Sequence, residues 1–176
     1  MSTQSKPQEK KTEPKKPKPK KSSGDEGLMN LANFLGKIAW IIVLIEGFIF
    51  IFWGIYYLYW ASVVTQVSEQ YGVYSYVAAD IATLTLYGVL YIIGGILGIL
   101  FAVAFVKPRF SNKWADKDYD YLLNDVIKLG STRIPLFLII GIILEIFMSW
   151  WGGLIILVPL LILIFAGPKE YKWTEK

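Results

Sequence analysis

Leu31 to Trp60 reads LANFLGKIAWIIVLIEGFIFIFWGIYYLYW. Its 30 residues hold one base, Lys37, and one acid, Glu46. A helix needs only about 20 apolar residues to cross the ~30 Å hydrocarbon core of a bilayer. Trp53, Tyr56, Tyr57, Tyr59 and Trp60 crowd its far end, where aromatic side chains favour a membrane–water interface. The apolar core is too long for a cleavable signal, whose core is about 7–15 residues. Gly47, Gly54 and Ala61 recur every seven residues and make a smooth stripe for a neighbouring helix. The stretch predicts a first membrane helix over about 31–60.

The rest of the composition agrees. The 176 residues are 55% hydrophobic and 16% aromatic, with the apolar residues in long blocks instead of the alternation of a soluble domain. There is no Cys and no His. Disulfides, thiolate catalysis, Cys-ligated metals and imidazole general bases are therefore closed to this chain. No cofactor is expected, and carboxylates and Tyr alone show no arrangement that suggests an enzyme.

Charge sits at one end. Met1 to Gly27 holds eight Lys against four acids, and the remainder is balanced, so the net +4 belongs to this tail. It has no hydrophobic periodicity, and Pro7, Pro14, Pro17 and Pro19 bias it to extended backbone; residues 1–27 are expected to be a disordered cytoplasmic tail. Lys10, Lys11, Lys15, Lys16, Lys18, Lys20 and Lys21 either attract anionic lipid or serve as a positive-inside signal. Nucleic acid is not an expected partner of a multi-span chain.

Ala61 to Asp80 contains no Lys or Arg and reads as a polar, aromatic outer connection, with Tyr71, Tyr74 and Tyr76 at headgroup level. Residues 81–106 form a second apolar helix. Gly94, Gly98 and Ala102 give successive small-xxx-small steps, and Gly88, Gly95 and Ala102 a heptad stripe. Lys107 to Arg133 returns to the basic side. Within it, residues 112–129 are expected to be an amphipathic helix, with Ser111 as N-cap, Gly130 as stop, and Ala115, Tyr119, Leu122, Val126 and Leu129 on one face. Asp116, Asp118 and Asp120 begin like a calcium loop, but Tyr121 stands where Gly is needed and Ile127 where the last acid belongs; no metal site is expected.

Ile134 to Ala166 reads as a helical hairpin, about 134–151 and 153–167, turning at Trp150, Trp151, Gly152 and Gly153. Each arm is about 22–27 Å long, short of a ~30 Å core. Either the bilayer thins there or the hairpin is re-entrant. The predicted fold is an all-α, four-helix membrane domain over 28–176 with both termini cytoplasmic, in the cell membrane.

Two acids lie inside the apolar segments. Glu46 is about 13 Å past Lys37 and Glu145 about 16 Å past Ile134, at nearly equal depth. Carboxylates in hydrocarbon are a functional hypothesis by default. Gly141 leaves room beside Glu145, and Pro159, which cannot donate to the Ile155 carbonyl, kinks the second arm and frees an acceptor. The acids are read either as assembly devices, protonated or paired within the bundle, or as a proton or cation site.

Glu46 in the first of four helices resembles, loosely, the small multidrug-resistance transporters. The long basic tail, long outer loop and amphipathic inner helix depart from that pattern. The 33-residue hairpin also has the length of membrane-bending hairpins. The favoured expectation is a non-enzymatic accessory subunit, assembly factor or scaffold. Its partners are the bilayer and other membrane subunits or further copies. The alternative is a small proton- or cation-coupled transporter or channel using Glu46 and Glu145.

Overall fold

The computed structural model describes residues 23–148 and 151–174. Lys10 to Lys21 and Trp150 lie outside the described residues.

The first helix, α1, runs from Ser23 to Gln70, 48 residues, or about 72 Å. It does not end at Trp60, and it begins inside the stretch expected to be tail. Ala61 to Asp80 is not an open connection but helix on both sides of a three-residue turn, Tyr71 to Val73. The hydroxyls of Ser62, Thr65 and Ser68 donate to the carbonyls of Tyr59, Ala61 and Thr65. These polar side chains thus satisfy themselves along the helix and do not break it. The helix ends as a Schellman motif: Val73 N–H donates to Ser68 O (2.9 Å) and Gly72 N–H to Glu69 O (3.2 Å). Gly72 takes φ +69°, a left-handed conformation that costs Gly nothing.

α2, Tyr74–Phe101, runs back along α1. It continues into a π segment, Ala102–Ser111, and a last turn, α3, Asn112–Ala115. Pro108 sits inside the π segment. It has no N–H, and its ring would strike the carbonyl four residues back, so a widened turn keeps the rod continuous. Glu26–Gln70 and Tyr74–Ala115 are two helices long and apolar enough to cross a membrane.

The amphipathic helix expected over 112–129 is broken. Lys117 has φ +54°, and a new helix, α4 (Tyr119–Asn124), starts after it. Its cap is Asp118, whose carboxylate accepts from Tyr121 N–H (3.1 Å), not Ser111. Ser111 is buried and its Oγ accepts from Trp40 N–H (3.2 Å). Beyond α4 the β-branched Val126 and Ile127 enter a two-stranded antiparallel hairpin, β1 (Val126–Leu129) and β2 (Thr132–Pro135). Gly130, at φ +63°, makes its turn and is not a helix stop. The fold is thus mostly helical, with one small sheet. Val126 and Leu122 still face the core, while Ala115 and Leu129 are exposed.

Two short apolar helices follow, α5 (Leu136–Met148) and α6 (Leu154–Ala166). The chain end then returns to β2: Arg133 N–H donates to Trp173 O (2.8 Å) and Tyr171 Oη to Arg133 O (3.0 Å). Lys169 pairs with Asp120 at 2.6 Å. The core gathers here. Trp114, Phe110, Phe137, Leu122, Leu160 and Leu163 are fully buried at the basic end of the bundle, below the apolar rods. Trp114 lies flat where Gly36 of α1 has no side chain.

Candidate functional site: the tip of the short hairpin

The two long helices meet along one seam. A Cβ on Gly95 would lie 2.5 Å from Gly47 O, and one on Gly54 2.7 Å from Gly88 O. The heptads of α1 and α2 therefore oppose each other in antiparallel register, backbone to backbone. Ala61 and Ser68 extend the seam and are buried; Ser68 was legible only by continuing the seven-residue step. Ala102 and Gly98 are buried too. Gly94 behaves differently. A Cβ there would meet only Phe50, at 3.7 Å, so it lies off the seam and lines a groove toward α5.

The short hairpin stands on the basic end. Phe137, in the first turn of α5, packs against Phe110 (4.8 Å between ring centroids) and Phe105 (5.8 Å). Phe110 in turn meets Trp114, against Gly36. The tip reaches Glu46, since Trp151 N–H donates to Glu46 Oε1 (3.3 Å). The hairpin thus rises beside α1 from the level of Gly36, where Trp114 is packed, to Glu46, ten residues or about 15 Å. Past Glu46, α1 runs on for 24 residues, about 36 Å, paired with α2.

At the tip both acids converge on one turn. Glu46 is 3% exposed. Besides the Trp151 amide, the Gly152 amide faces its carboxylate, and Glu145 is a close electrostatic neighbour. Glu145 Oε2 accepts from Leu154 N–H (3.1 Å). Leu154 is the first residue of α6, where helix N–H groups lack internal partners, and Trp151 and Gly152 belong to the turn before it. Glu46 Oε2 is buried with no partner among the described residues.

Glycines let the arms close here. A Cβ on Gly153 would overlap Gly141 O and the Glu145 backbone, and one on Gly141 would lie 2.7 Å from Leu157. Gly141 is therefore filled by α6 and is not an open space beside Glu145. Among the described residues Glu145 bonds the Leu154 amide and not the Ile155 carbonyl that Pro159 leaves free. The turn between α5 and α6 places Glu145 beside Gly153 and Leu154, about one and a half helical turns above Pro159. Pro159 is buried, and α6 continues through it to Ala166.

The cap over the basic end carries its own electrostatics. Lys113 Nζ pairs with Asp118 at 2.9 Å. This hydrogen bond, then the Tyr121 amide, holds the Asp118 carboxyl below its usual range. Burial pushes the Tyr171 phenol up. Among the described residues, no three His, Cys, Asp or Glu side chains are placed to hold a metal. The sequence reading also missed the Gly36–Trp114 contact. Its one signal is that Gly36 precedes Gly47 by eleven residues, another helical repeat.

Compared with known protein families, characterised proteins and solved structures, the chain matches none.

Proposed function

We propose that this chain is a non-enzymatic multi-pass membrane protein, a scaffold or accessory subunit of a larger membrane assembly. In this reading α1 and α2 cross the bilayer, and α5–α6 enters from the cytoplasmic side and turns back near the midplane. Both termini then lie on the basic, cytoplasmic face.

Depth supports the half-crossing. Lys37, Lys107 and Arg109 ring the level where α5 begins, and Lys107 Nζ lies 4.4 Å over the Trp40 ring, as basic residues do at an interface. Glu46 is nine residues above Lys37, about 13 Å into a ~30 Å core. A turn at that depth has no water for its amides, and each unsatisfied one would cost several kcal/mol. Glu46 and Glu145 supply the missing acceptors. The outer Trp and Tyr cluster then marks the far interface, and the last ten residues of α1 project about 15 Å beyond it.

The observation that carries the scaffold reading is where the intramembrane acids go. Both are bonded to backbone amides of the chain's own turn, so their geometry holds a shape. The test is the mass of the native particle after gentle detergent extraction, with co-migrating proteins identified. A large particle with defined partners supports the reading. A small homo-oligomer with nothing attached contradicts it.

One observation favours a second reading, a proton- or cation-coupled transporter. Among the described residues Glu46 Oε2 is buried with no partner, beside Glu145, as a titrating or coordinating oxygen would be. That reading predicts a pH-dependent flux in reconstituted vesicles that vanishes in Glu46→Gln and Glu145→Gln. Unchanged flux in both variants rules it out.

A further inference from the structure

Between α2 and α5 the bundle is open. α5 leans on α6, and the space toward α2 is an apolar groove of 1070 Å³. Its walls include Leu97, Phe101 and Phe105 on one side and Ile140, Ile143 and Phe147 on the other, with Gly94 at its back. No charged residue lines it. Nothing among the described residues fills it, and the stretch 1–22, rich in Lys and Pro, is too polar to do so.

Three features define the occupant. The first is length. Gly95 is level with Gly47, one residue from Glu46 and the hairpin tip. On α2 and its π continuation the lining runs from Tyr87 to Phe105, 18 residues or about 27 Å, but α5 faces it only from Ile140 to Phe147, seven residues or about 10 Å, so the groove has two walls only over its lower part. Above the tip only α1 and α2 line it, with Phe50, Tyr87, Leu90 and Tyr91, so a partner helix crossing the whole bilayer would be held on one side only along its outer part. A chain from one leaflet matches the walled depth. The second is chemistry: the walls are aliphatic and aromatic throughout. The third is the charge at the lower mouth. Arg109 Cζ lies 5.0 Å from the centroid of the Phe105 ring, itself a wall of the groove. Arg109 is exposed, its Nε donates to Tyr121 Oη (3.3 Å), and no carboxylate lies within ion-pair distance of it among the described residues. Its guanidinium has the fork geometry that suits a phosphate.

We propose that this groove binds an anionic phospholipid of the cytoplasmic leaflet, with acyl chain between α2 and α5 and phosphate on Arg109. The inference rests on the membrane placement above and adds a ligand to it. Lys107 is turned to Trp40, and Lys113, over the same Tyr121 ring, is paired with Asp118 at 2.9 Å. Arg109, with Asp125 as the acidic neighbour in its field, is the cation that borders the groove through Phe105.

The full chain, stripped of lipid in detergent, is reconstituted in discs of equal parts phosphatidylglycerol and phosphatidylcholine, and retained lipids are counted by native mass spectrometry. Wild type is expected to retain phosphatidylglycerol preferentially. Arg109→Gln lowers that preference about fivefold, the factor equivalent to about 1 kcal/mol for one basic residue at an anionic surface. Gly94→Leu has room at the back of the groove and is expected to reduce retention of both lipids with unchanged helix content. A preference that survives Arg109→Gln belongs to the Lys-rich tail and overturns the proposal. So does a photo-crosslinker at Ile143 that captures a protein helix in native membranes instead of lipid. A chain that fails to float with vesicles defeats the membrane placement itself, before any lipid is counted.

Discussion

The molecule contains two antiparallel helical hairpins that solve the same problem in opposite ways. In α1–α2 the turn lies beyond the apolar run, at Tyr71 to Val73, where water can reach it. Nothing polar is needed along the seam; Gly47 against Gly95 and Gly54 against Gly88 bring backbones together. In α5–α6 each arm has 13 residues, and in the proposed placement the turn falls inside the apolar zone. There the turn amides need acceptors, and Glu46 and Glu145 are the acceptors. The difference teaches that a buried carboxylate in such a bundle can be the consequence of where a turn was placed.

The comparison can be broken at either hairpin. The largest effect is expected on the glycine seam. Gly95→Leu would force atoms into Gly47 O and Ile51 and separate α1 from α2. A loss of about 3 kcal/mol or more is expected, at the upper end for overpacking, seen as a collapse of thermal stability in detergent. Gly94→Leu, one residue away but facing the groove, is expected to change stability by less than about 1 kcal/mol. Equal losses in the two variants would contradict the register.

Next in size is the hairpin tip. Glu46→Leu removes the acceptor of the Trp151 amide and leaves a buried donor unsatisfied, at about 1–3 kcal/mol. Hydrogen exchange at Trp151 to Leu154 is expected to speed up while the α1–α2 seam stays protected. Glu145→Leu, at a half-buried position, is expected to do the same more weakly. Gly36→Leu would push Trp114 from its seat. It is expected to expose residues 116–133 to protease with both hairpins kept, at a cost of about 1–3 kcal/mol.

The smallest effect is one of pH in the cap. Asp118 is held below its ordinary value by Lys113 and the Tyr121 amide. Its contribution is therefore present above the unfolded-state value, about 3.9, and is lost as pH falls through the lower folded value. Protease sensitivity near α4 is expected to rise below about pH 4 in the wild type. In Asp118→Asn this acid-dependent step is absent.

Much of this was legible in residue order. The apolar run of α1, the heptads Gly47–Gly54–Ala61 and Gly88–Gly95–Ala102, and the equal depth of Glu46 and Glu145 all follow from helical spacing. Two things did not. The polar composition of Ala61 to Asp80 reads as loop, because composition cannot show that Ser and Thr hydroxyls will bond back along their own helix. The face repeat over Ala115 to Leu129 reads as helix, because alternating steps of three and four also suit a short helix followed by a strand. Tertiary contacts decided it: Asp118 caps α4, and the chain end pairs with β2. The partners of Glu145 depended on a turn length that the sequence leaves open.

The depth of the hairpin tip tests the account most directly. The chain has no Cys, so Phe147→Cys, at an exposed position near the tip, can carry a single nitroxide in reconstituted bilayers. Depth-dependent relaxation is expected to place the nitroxide near the midplane, and in a separate, unlabelled sample the free cysteine is expected to be inaccessible to membrane-impermeant thiol reagents from either side. Labelling of this cysteine by an impermeant reagent from the outer side would show that the hairpin crosses the bilayer. Glu46 and Glu145 would then need another explanation.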